Sequence, residues 1–131
     1  MKVDHLGIAV PDLADALGLW TRLLGVEGSP PEEVESQMVR VSFVDVGSTH
    51  LEFLAPTQPD SPIGRFVAER GGGLHHLAFR VPNVDQTLTT LAARGFQLID
   101  RTGRPGARGR RVGFVHPKST GHVLVEFVEG A

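Results

Sequence analysis

Alternating apolar and polar residues predict the same strand twice, 71 positions apart. Residues 3–13 read VDHLGIAVPDL and residues 74–84 read LHHLAFRVPNV, with a histidine third in both. The apolar content of these stretches predicts strands at Lys2–Ala9 and Leu74–Val81. Four of the eleven positions are identical and most others keep their chemical character, so the chain carries an internal repeat.

A helix is predicted after each of these strands, because apolar residues then recur at helical spacing. Asp12 and Asn83 are favourable N-caps, whose side chains accept hydrogen bonds from the first helical turn. Gly25 and Gly95 suit the left-handed conformation that ends a helix. A shorter helix is predicted after Ser61, with proline in its first position.

Each predicted repeat helix is followed by segments that are typical of strands. In SPPEEVES, residues 29–36, this pattern is indistinct, and we expect a turn or loop there. The predicted strands are Met38–Val46 and His50–Leu54 in the first copy, and Phe96–Ile99, Arg111–Val115 and Val123–Val128 in the second.

This order of elements predicts an α+β fold built from two pseudo-symmetric βαβββ modules. We expect one domain, residues 1–131, with module one at about 1–57, a linker helix at about 60–71 and module two at about 72–131. One helix covers only one face of a module's sheet. Two modules side by side are therefore expected to form one open, curved sheet of eight strands with the helices outside, and ligand sites favour such concave faces.

The composition is that of an ordinary globular protein and excludes several functions. Of the residues, 40% are hydrophobic and 21% charged, and the net charge is −2. The lack of cysteine excludes disulfides, thiolate metal sites and a cysteine nucleophile. The chain has neither a long apolar run nor a signal-peptide pattern. We therefore expect a cytoplasmic protein with no membrane and no nucleic-acid partner.

Basic residues are concentrated in one glycine- and proline-containing segment, RTGRPGARGRR. It holds five of the 13 basic residues. The segment is either a solvated loop or a binding site for a phosphate-bearing ligand, since guanidinium groups match phosphate oxygens in geometry and charge. Its arginines are Arg101, Arg104, Arg108, Arg110 and Arg111.

Each copy of the repeat carries one histidine in its first strand and one glutamate in its last. These are His5 and Glu52 in the first copy, and His76 and Glu126 in the second. Side-chain alternation places His5 and Glu126 among apolar neighbours, where a carboxylate is costly unless it is paired or bound to metal. Two imidazoles and two carboxylates suit a divalent cation such as Zn, Co, Ni, Mn or Fe(II), so we predict a metal site.

The other histidines are weaker candidates. His75 points away from the face of His76 and is expected to pack against a helix, and His50 shares the face of Glu52. His116 and His122 flank the loop HPKSTGH and are expected to touch a ligand rather than the metal.

The sequence resembles the vicinal oxygen chelate superfamily and, within it, the family of methylmalonyl-CoA epimerases. The resemblance covers nearly the whole chain and rests on VDHLGIAVPDL, VGSTHLEFLAP, DSPIGRFVAERGGGLHHLAFRV and RPGARGRRVGFVHPKSTGHVLVEF. It implies an open eight-stranded barrel around a metal. Some family members carry a further carboxylate in the strand that matches Met38–Val44, whereas this chain has none there.

The resemblance also implies a reaction and a set of site residues. The reaction is epimerisation of methylmalonyl-CoA by removal and return of the C2 proton, through a metal-stabilised enolate. His5, Glu52, His76 and Glu126 would bind a divalent metal, with cobalt in first place and zinc, manganese or nickel as alternatives. Glu126 would act as acid and base as well as ligand, and a homodimer is implied. Pseudo-symmetry of the modules assigns the other face of C2 to Glu52, with a water molecule as the alternative second base. The residues expected to bind the acyl-CoA substrate are Arg104, Arg108, His116, Lys118 and Ser119.

Three other functions fit the same superfamily. A glyoxalase I-type lactoylglutathione lyase also moves a proton next to a carbonyl. An extradiol dioxygenase would use two histidines and one carboxylate on iron, leaving Glu52 without a ligand role. A binding protein without catalysis would be expected to lack one or more of the four ligands, all of which are present here.

Overall fold

The computed structural model describes residues 1–130, which form two compact units. The N-terminal unit is His5–His75, and the C-terminal unit combines Met1–Asp4 with the chain from His76 onward. Within residues 1–130, no helix has the length and apolar character needed to cross a bilayer.

The N-terminal unit contains four strands and two helices. Strand β4 pairs with β3 in antiparallel fashion and with β1 in parallel fashion, which gives the strand order β2-β3-β4-β1. The elements are β1 (Lys2–Ala9, in this unit from His5 on), α1 (Leu13–Leu24), β2 (Glu32–Val34), β3 (Val39–Val46), β4 (Thr49–Pro56) and α2 (Pro62–Arg70).

The C-terminal unit repeats this topology with one helix. Strand β8 is antiparallel to β7 and parallel to β5, and the order is β5-β8-β7-β6. Its elements are β5 (Gly73–Val81, in this unit from His76 on), α3 (Val84–Ala93), β6 (Arg104–Pro105), β7 (Arg111–Val115) and β8 (Val125–Glu129). The predicted fold class, α+β with two βαβββ modules and eight strands, is confirmed.

The helix boundaries follow the predicted capping residues. Asp12 Oδ1 accepts a hydrogen bond from Asp15 N at 2.9 Å, and Asn83 Oδ1 accepts one from Gln86 N at 2.9 Å. Gly25 adopts φ = 70°, a conformation that favours glycine. The predicted linker helix is confirmed as α2.

In each unit a helix covers one face of the strands. Helix α1 packs on β3 and β4 around Phe53, and α3 packs on β7 and β8 around Leu88. Both side chains are fully buried. Gly113 on β7 favours the close approach of α3, because a Cβ there would lie 2.7 Å from a methyl group of Leu88, which would have to shift.

Two sequence predictions at the strand edges are wrong. Within residues 29–36, where a turn or loop was expected, Glu32–Val34 forms β2 along β3. The predicted strand Phe96–Ile99 is reduced to one bridge, between Leu98 and Val115. The strand that pairs with the outer edge of β7, away from β8, is β6, inside the arginine-rich segment. These edges form through backbone pairing with a distant strand, which overrides local propensity.

Candidate active site

His5 and Glu52 form a buried pair in the N-terminal unit. They lie on the parallel strands β1 and β4, and alternation points both side chains to the same face. His5 Nε2 is 3.4 Å from Glu52 Oε1. The two residues are only 2% and 5% exposed, so the carboxylate is held away from bulk water.

His76 and Glu126 form the corresponding pair in the C-terminal unit. They lie on the parallel strands β5 and β8, with His76 Nε2 3.2 Å from Glu126 Oε1. Their exposures are 5% and 3%. Strand pairing inside this unit therefore brings the second histidine and glutamate together as well.

The two pairs have the same strand register. In both units the histidine lies two residues before the residue that pairs with the glutamate, since Gly7 pairs with Glu52 and Ala78 with Glu126. Both first strands also place a small residue opposite the glutamate. The internal repeat is thus conserved down to the placement of the ionisable side chains.

A phenylalanine packs against the imidazole of each pair. Phe43 meets His5 in a T-shaped contact with ring centroids 6.0 Å apart, and Phe114 meets His76 at 5.8 Å. Each phenylalanine is also the residue directly across from the glutamate, on β3 and β7 respectively. Each pair therefore has the edge or face of an aromatic ring against its imidazole.

Sequence reasoning missed Phe43 and Phe114, although a signal was available. The letters VSFV at residues 41–44 and VGFV at residues 112–115 place the two phenylalanines 71 positions apart, the spacing that separates His5 from His76. Extending the repeat from the first strands to these segments would have found them.

The chemistry of the four buried side chains suits a divalent cation. Each offers one ligand atom, a histidine ring nitrogen or a carboxylate oxygen. Imidazole and carboxylate ligands are typical of Mn, Fe, Co, Ni and Zn sites. Two carboxylates balance a 2+ charge, which offsets the cost of burying them.

The arginine-rich segment is not simply a solvated loop. Arg110 forms a bidentate ion pair with the buried Asp4, with nitrogen–oxygen distances of 2.8 and 2.7 Å. Asp4 also accepts from Arg80 Nε at 2.9 Å. Arg111 pairs with Asp85 at 2.9 Å. At least two arginines of this segment, Arg110 and Arg111, therefore form ion pairs within the C-terminal unit.

Arg104 and Arg108, the two arginines predicted to bind substrate, differ in their surroundings. Arg104 Nε lies 3.2 Å from Asp100 Oδ1, and its guanidinium lies over the ring of Phe114, 5.3 Å from the centroid. Arg108 is exposed and adopts a left-handed conformation, φ = 59°, in a short turn. Arg104 thus lies beside the residue that contacts His76.

The other predicted substrate residues lie in one turn after β7. His116 Nδ1 accepts from Lys118 N at 3.1 Å, and Ser119 Oγ accepts from Gln97 N at 2.8 Å. Lys118 is exposed. The turn is therefore braced by His116 and Ser119 and presents Lys118 to solvent, while contact with a ligand stays a prediction.

Two further histidines have partners of their own. The His75 ring packs against Phe66 of α2 with centroids 5.0 Å apart, as its strand parity predicts. His50 lies on β4, the strand that carries Glu52, and its Nδ1 is 2.6 Å from Oδ1 of Asp45 on β3. His122 is exposed with φ = 74°.

The sequence also matches a known family. The sequence profile of the glyoxalase/bleomycin resistance protein/dioxygenase superfamily matches residues 4–114. The chain belongs to this superfamily. Both buried histidines lie within the matched residues, as does Glu52, and Glu126 follows them in β8.

Members of this superfamily with high similarity to the chain include epimerases. The uncharacterized protein YqjC of Bacillus subtilis is 41% identical over 128 residues, 98% of this chain and 91% of YqjC. The ethylmalonyl-CoA/methylmalonyl-CoA epimerase of Cereibacter sphaeroides is 34% identical over 128 residues, 95% of each chain.

A solved structure in the same superfamily carries a bound acyl-CoA analogue. It is a variant of the Streptomyces coelicolor methylmalonyl-CoA epimerase in complex with 2-nitronate-propionyl-CoA. Its TM-score with this chain is 0.95 at 33% identity, and the match covers 100% of this chain and 95% of that one. The predicted resemblance to methylmalonyl-CoA epimerases is confirmed.

Proposed function

We propose that this protein interconverts the (R) and (S) epimers of methylmalonyl-CoA in a metal-dependent reaction. The observation that carries the proposal is the repeated, buried His/Glu pair with identical strand register in both units. Epimerisation removes a proton from one face of a carbon and returns one to the other, a task that suits duplicated carboxylates. The named epimerases among the relatives support the substrate class.

The ligands in this proposal are His5, Glu52, His76 and Glu126, around one divalent cation. The donor set and its burial fit such an ion. When bound, the cation supplies electrostatic stabilisation of negative charge on the substrate oxygens, worth several kcal/mol in such sites. Phe43 and Phe114 exclude water around the two imidazoles and hold their orientation.

Glu126 and Glu52 are the proposed acid/base residues. A positioned carboxylate oxygen that takes up the C2 proton contributes roughly 10²–10⁴-fold to the rate. The two glutamates occupy equivalent positions in the two units, so each is assigned to one face of C2. Their burial supports this role, because proton transfer is favoured where bulk water does not compete.

Residues of the C-terminal unit are proposed to hold the CoA phosphates. Arg108 and Lys118 are exposed and carry positive charge, and His116 and Ser119 brace the turn that presents Lys118. Phosphate groups favour such cationic side chains next to backbone turns.

The proposed acid/base roles are tested by exchange of the C2 proton of stereochemically pure methylmalonyl-CoA in D₂O, followed by NMR. With metal-saturated protein, Glu126→Gln and Glu52→Gln should each slow exchange by roughly 10²–10⁴-fold, and each should slow it mainly for one epimer. That split follows because each variant loses the base on one face only.

Glu27→Gln is the matched control, since it makes the same chemical change at an exposed carboxylate. It should exchange both epimers at the wild-type rate. Full exchange by both Glu126→Gln and Glu52→Gln would remove the acid/base assignment. Isomerisation of the glutathione hemithioacetal by the wild type, without turnover of methylmalonyl-CoA, would favour a glyoxalase I-type activity instead.

Three further expectations stay predictions. They are cobalt as the native metal, assembly as a homodimer and location in the cytoplasm. Metal content of the purified protein and its mass in solution would check the first two.

A further inference from the structure

The guanidinium of Arg104 covers the phenylalanine ring that touches His76. It lies 5.3 Å from the Phe114 centroid, within the distance at which a cation is attracted to an aromatic face. The same ring meets the His76 imidazole with an interplanar angle of 83°. The Phe114 ring therefore contacts both Arg104 and His76, a proposed metal ligand.

The Asp100 carboxylate interacts with both the Arg104 guanidinium and the Phe114 backbone. Its Oδ1 lies 3.2 Å from Arg104 Nε, and its Oδ2 accepts a hydrogen bond from Phe114 N at 2.8 Å. The Phe114 carbonyl accepts in turn from Ile99 N at 3.0 Å and from Asp100 N at 3.2 Å. One carboxylate therefore anchors the backbone of Phe114 and the cation above its ring.

The N-terminal unit has the backbone half of this arrangement without the charge. Ser29 stands 71 positions before Asp100, and its Oγ accepts from Phe43 N at 2.9 Å while its own N–H donates to the Phe43 carbonyl at 2.7 Å. The Phe43 ring also meets the His50 imidazole, with centroids 6.3 Å apart. The residue that anchors the phenylalanine backbone is therefore the uncharged Ser29 in the N-terminal unit and the carboxylate Asp100 in the C-terminal unit.

We propose that Asp100 and Arg104 are positioning residues that fix the Phe114 ring and, through it, the orientation of His76. This inference rests on the proposed metal role of His76, and it assigns Arg104 to the metal centre instead of to the CoA phosphates. Groups that orient a ligating histidine contribute to metal affinity although they do not touch the metal. The ion pair is one-third exposed on the arginine side, so its substitution does not empty the core.

The first test needs no metal. In metal-free protein, the ring protons of His76 report the position of Phe114 through its ring current, and they are assigned by their loss in His76→Asn. Arg104→Gln and Asp100→Asn should shift these signals, because both remove the ion pair. Asp100→Asn keeps an oxygen for Phe114 N, so it separates the ion pair from the backbone anchor. Arg101→Gln, an exposed arginine in the same segment, should leave them unchanged.

The second test measures metal affinity by chelator competition without substrate. Arg104→Gln and Asp100→Asn should weaken cobalt binding about 10-fold, and Arg104→Lys, which keeps the cation, should recover part of it. In metal-saturated enzyme, KM for methylmalonyl-CoA should stay within about twofold of the wild type, because no phosphate contact is lost.

Unchanged His76 signals in Arg104→Gln would overturn the positioning role, as would a raised KM with unchanged metal affinity, which would return Arg104 to substrate binding. A wild type that binds no metal would defeat the proposed function, whereas the His76 signals would still decide the role of Arg104.

Discussion

Asp85, near the start of α3, joins two parts of the C-terminal unit. Its carboxylate accepts a hydrogen bond from Gly103 N at 2.6 Å and forms an ion pair with Arg111. The Gly103 hydrogen bond, and after it the Arg111 hydrogen bond, lowers the pKa of Asp85 below its ordinary value of 3.8. Both interactions favour the charged form of the side chain.

This lowered pKa sets the pH range in which Asp85 stabilises the fold. The contribution is complete above the unfolded pKa of 3.8 and is lost as the pH falls through the lower folded value. We expect Asp85→Asn to reduce the urea midpoint by a constant amount between about pH 5 and about pH 7, and by less at lower pH. A difference that grows on acidification would contradict this.

The internal repeat and side-chain alternation together predicted the four ionisable residues of the candidate site. The repeat paired each histidine with a glutamate, and the period of two placed His5 and Glu126 on apolar faces. The structure buries all four side chains. The phenylalanine contacts were not predicted, because a buried phenylalanine in a strand is ordinary core unless its neighbours are known. The Asp100–Arg104 contact with Phe114 needed the fold as well, since it depends on where residues 99–104 run.

The N-caps of α1 and α3 are equivalent features of the two modules. Asp12 and Asn83 each satisfy a backbone N–H of the first turn. We expect Asp12→Ala and Asn83→Ala each to lower the free energy of unfolding by about 1 kcal/mol, as measured by urea denaturation.

The matched controls are Asp12→Asn and Asn83→Asp, which exchange one good capping residue for another. They should cost no more than a few tenths of a kcal/mol. If alanine and the exchanged caps had equal effects, the side-chain oxygen would not be the stabilising group.

Elements with local signals were predicted, and elements that depend on distant pairing were not. The N-caps of α1 and α3 bond residues three positions further along the chain, so the local sequence predicts where these helices begin. Strand β2 contains two glutamates and follows two prolines, a poor strand sequence, and it exists because β3 offers hydrogen bonds. Strand β6 is two residues long and depends on β7 in the same way.

At the scale of the whole molecule, the proposed metal should raise stability as a ligand of the native state. Saturation at about 100 times the dissociation constant adds about 2.7 kcal/mol to the free energy of unfolding. We expect cobalt to raise the Tm measured by calorimetry and a chelator to lower it. His5→Ala and His76→Ala should abolish the cobalt-dependent shift, whereas His122→Ala, at an exposed histidine, should keep it.

If cobalt raised the Tm of the His5→Ala and His76→Ala variants as much as that of the wild type, the metal would bind elsewhere on the protein. If one ion is shared by the two histidines, each substitution alone should abolish the cobalt-dependent rise in Tm.

The module organisation was predicted because the chain repeats itself. Two copies with the same strand, turn and cap signals leave few topologies open, and the same strand register in both units shows how far the repeat extends. The repeat did not indicate which of the superfamily's reactions this protein catalyses. That indication came from the segments outside the His/Glu pattern, such as DSPI and HPKSTG.

The burial of Asp4 has a practical consequence for anyone who shortens or labels this chain. Its carboxylate is the shared counter-charge of Arg80 and Arg110 and is completely enclosed. Trimming the first four residues would leave two cations in repulsion on the strand that carries His76 and on the loop before β7. A purification tag must therefore extend the amino terminus and not replace it.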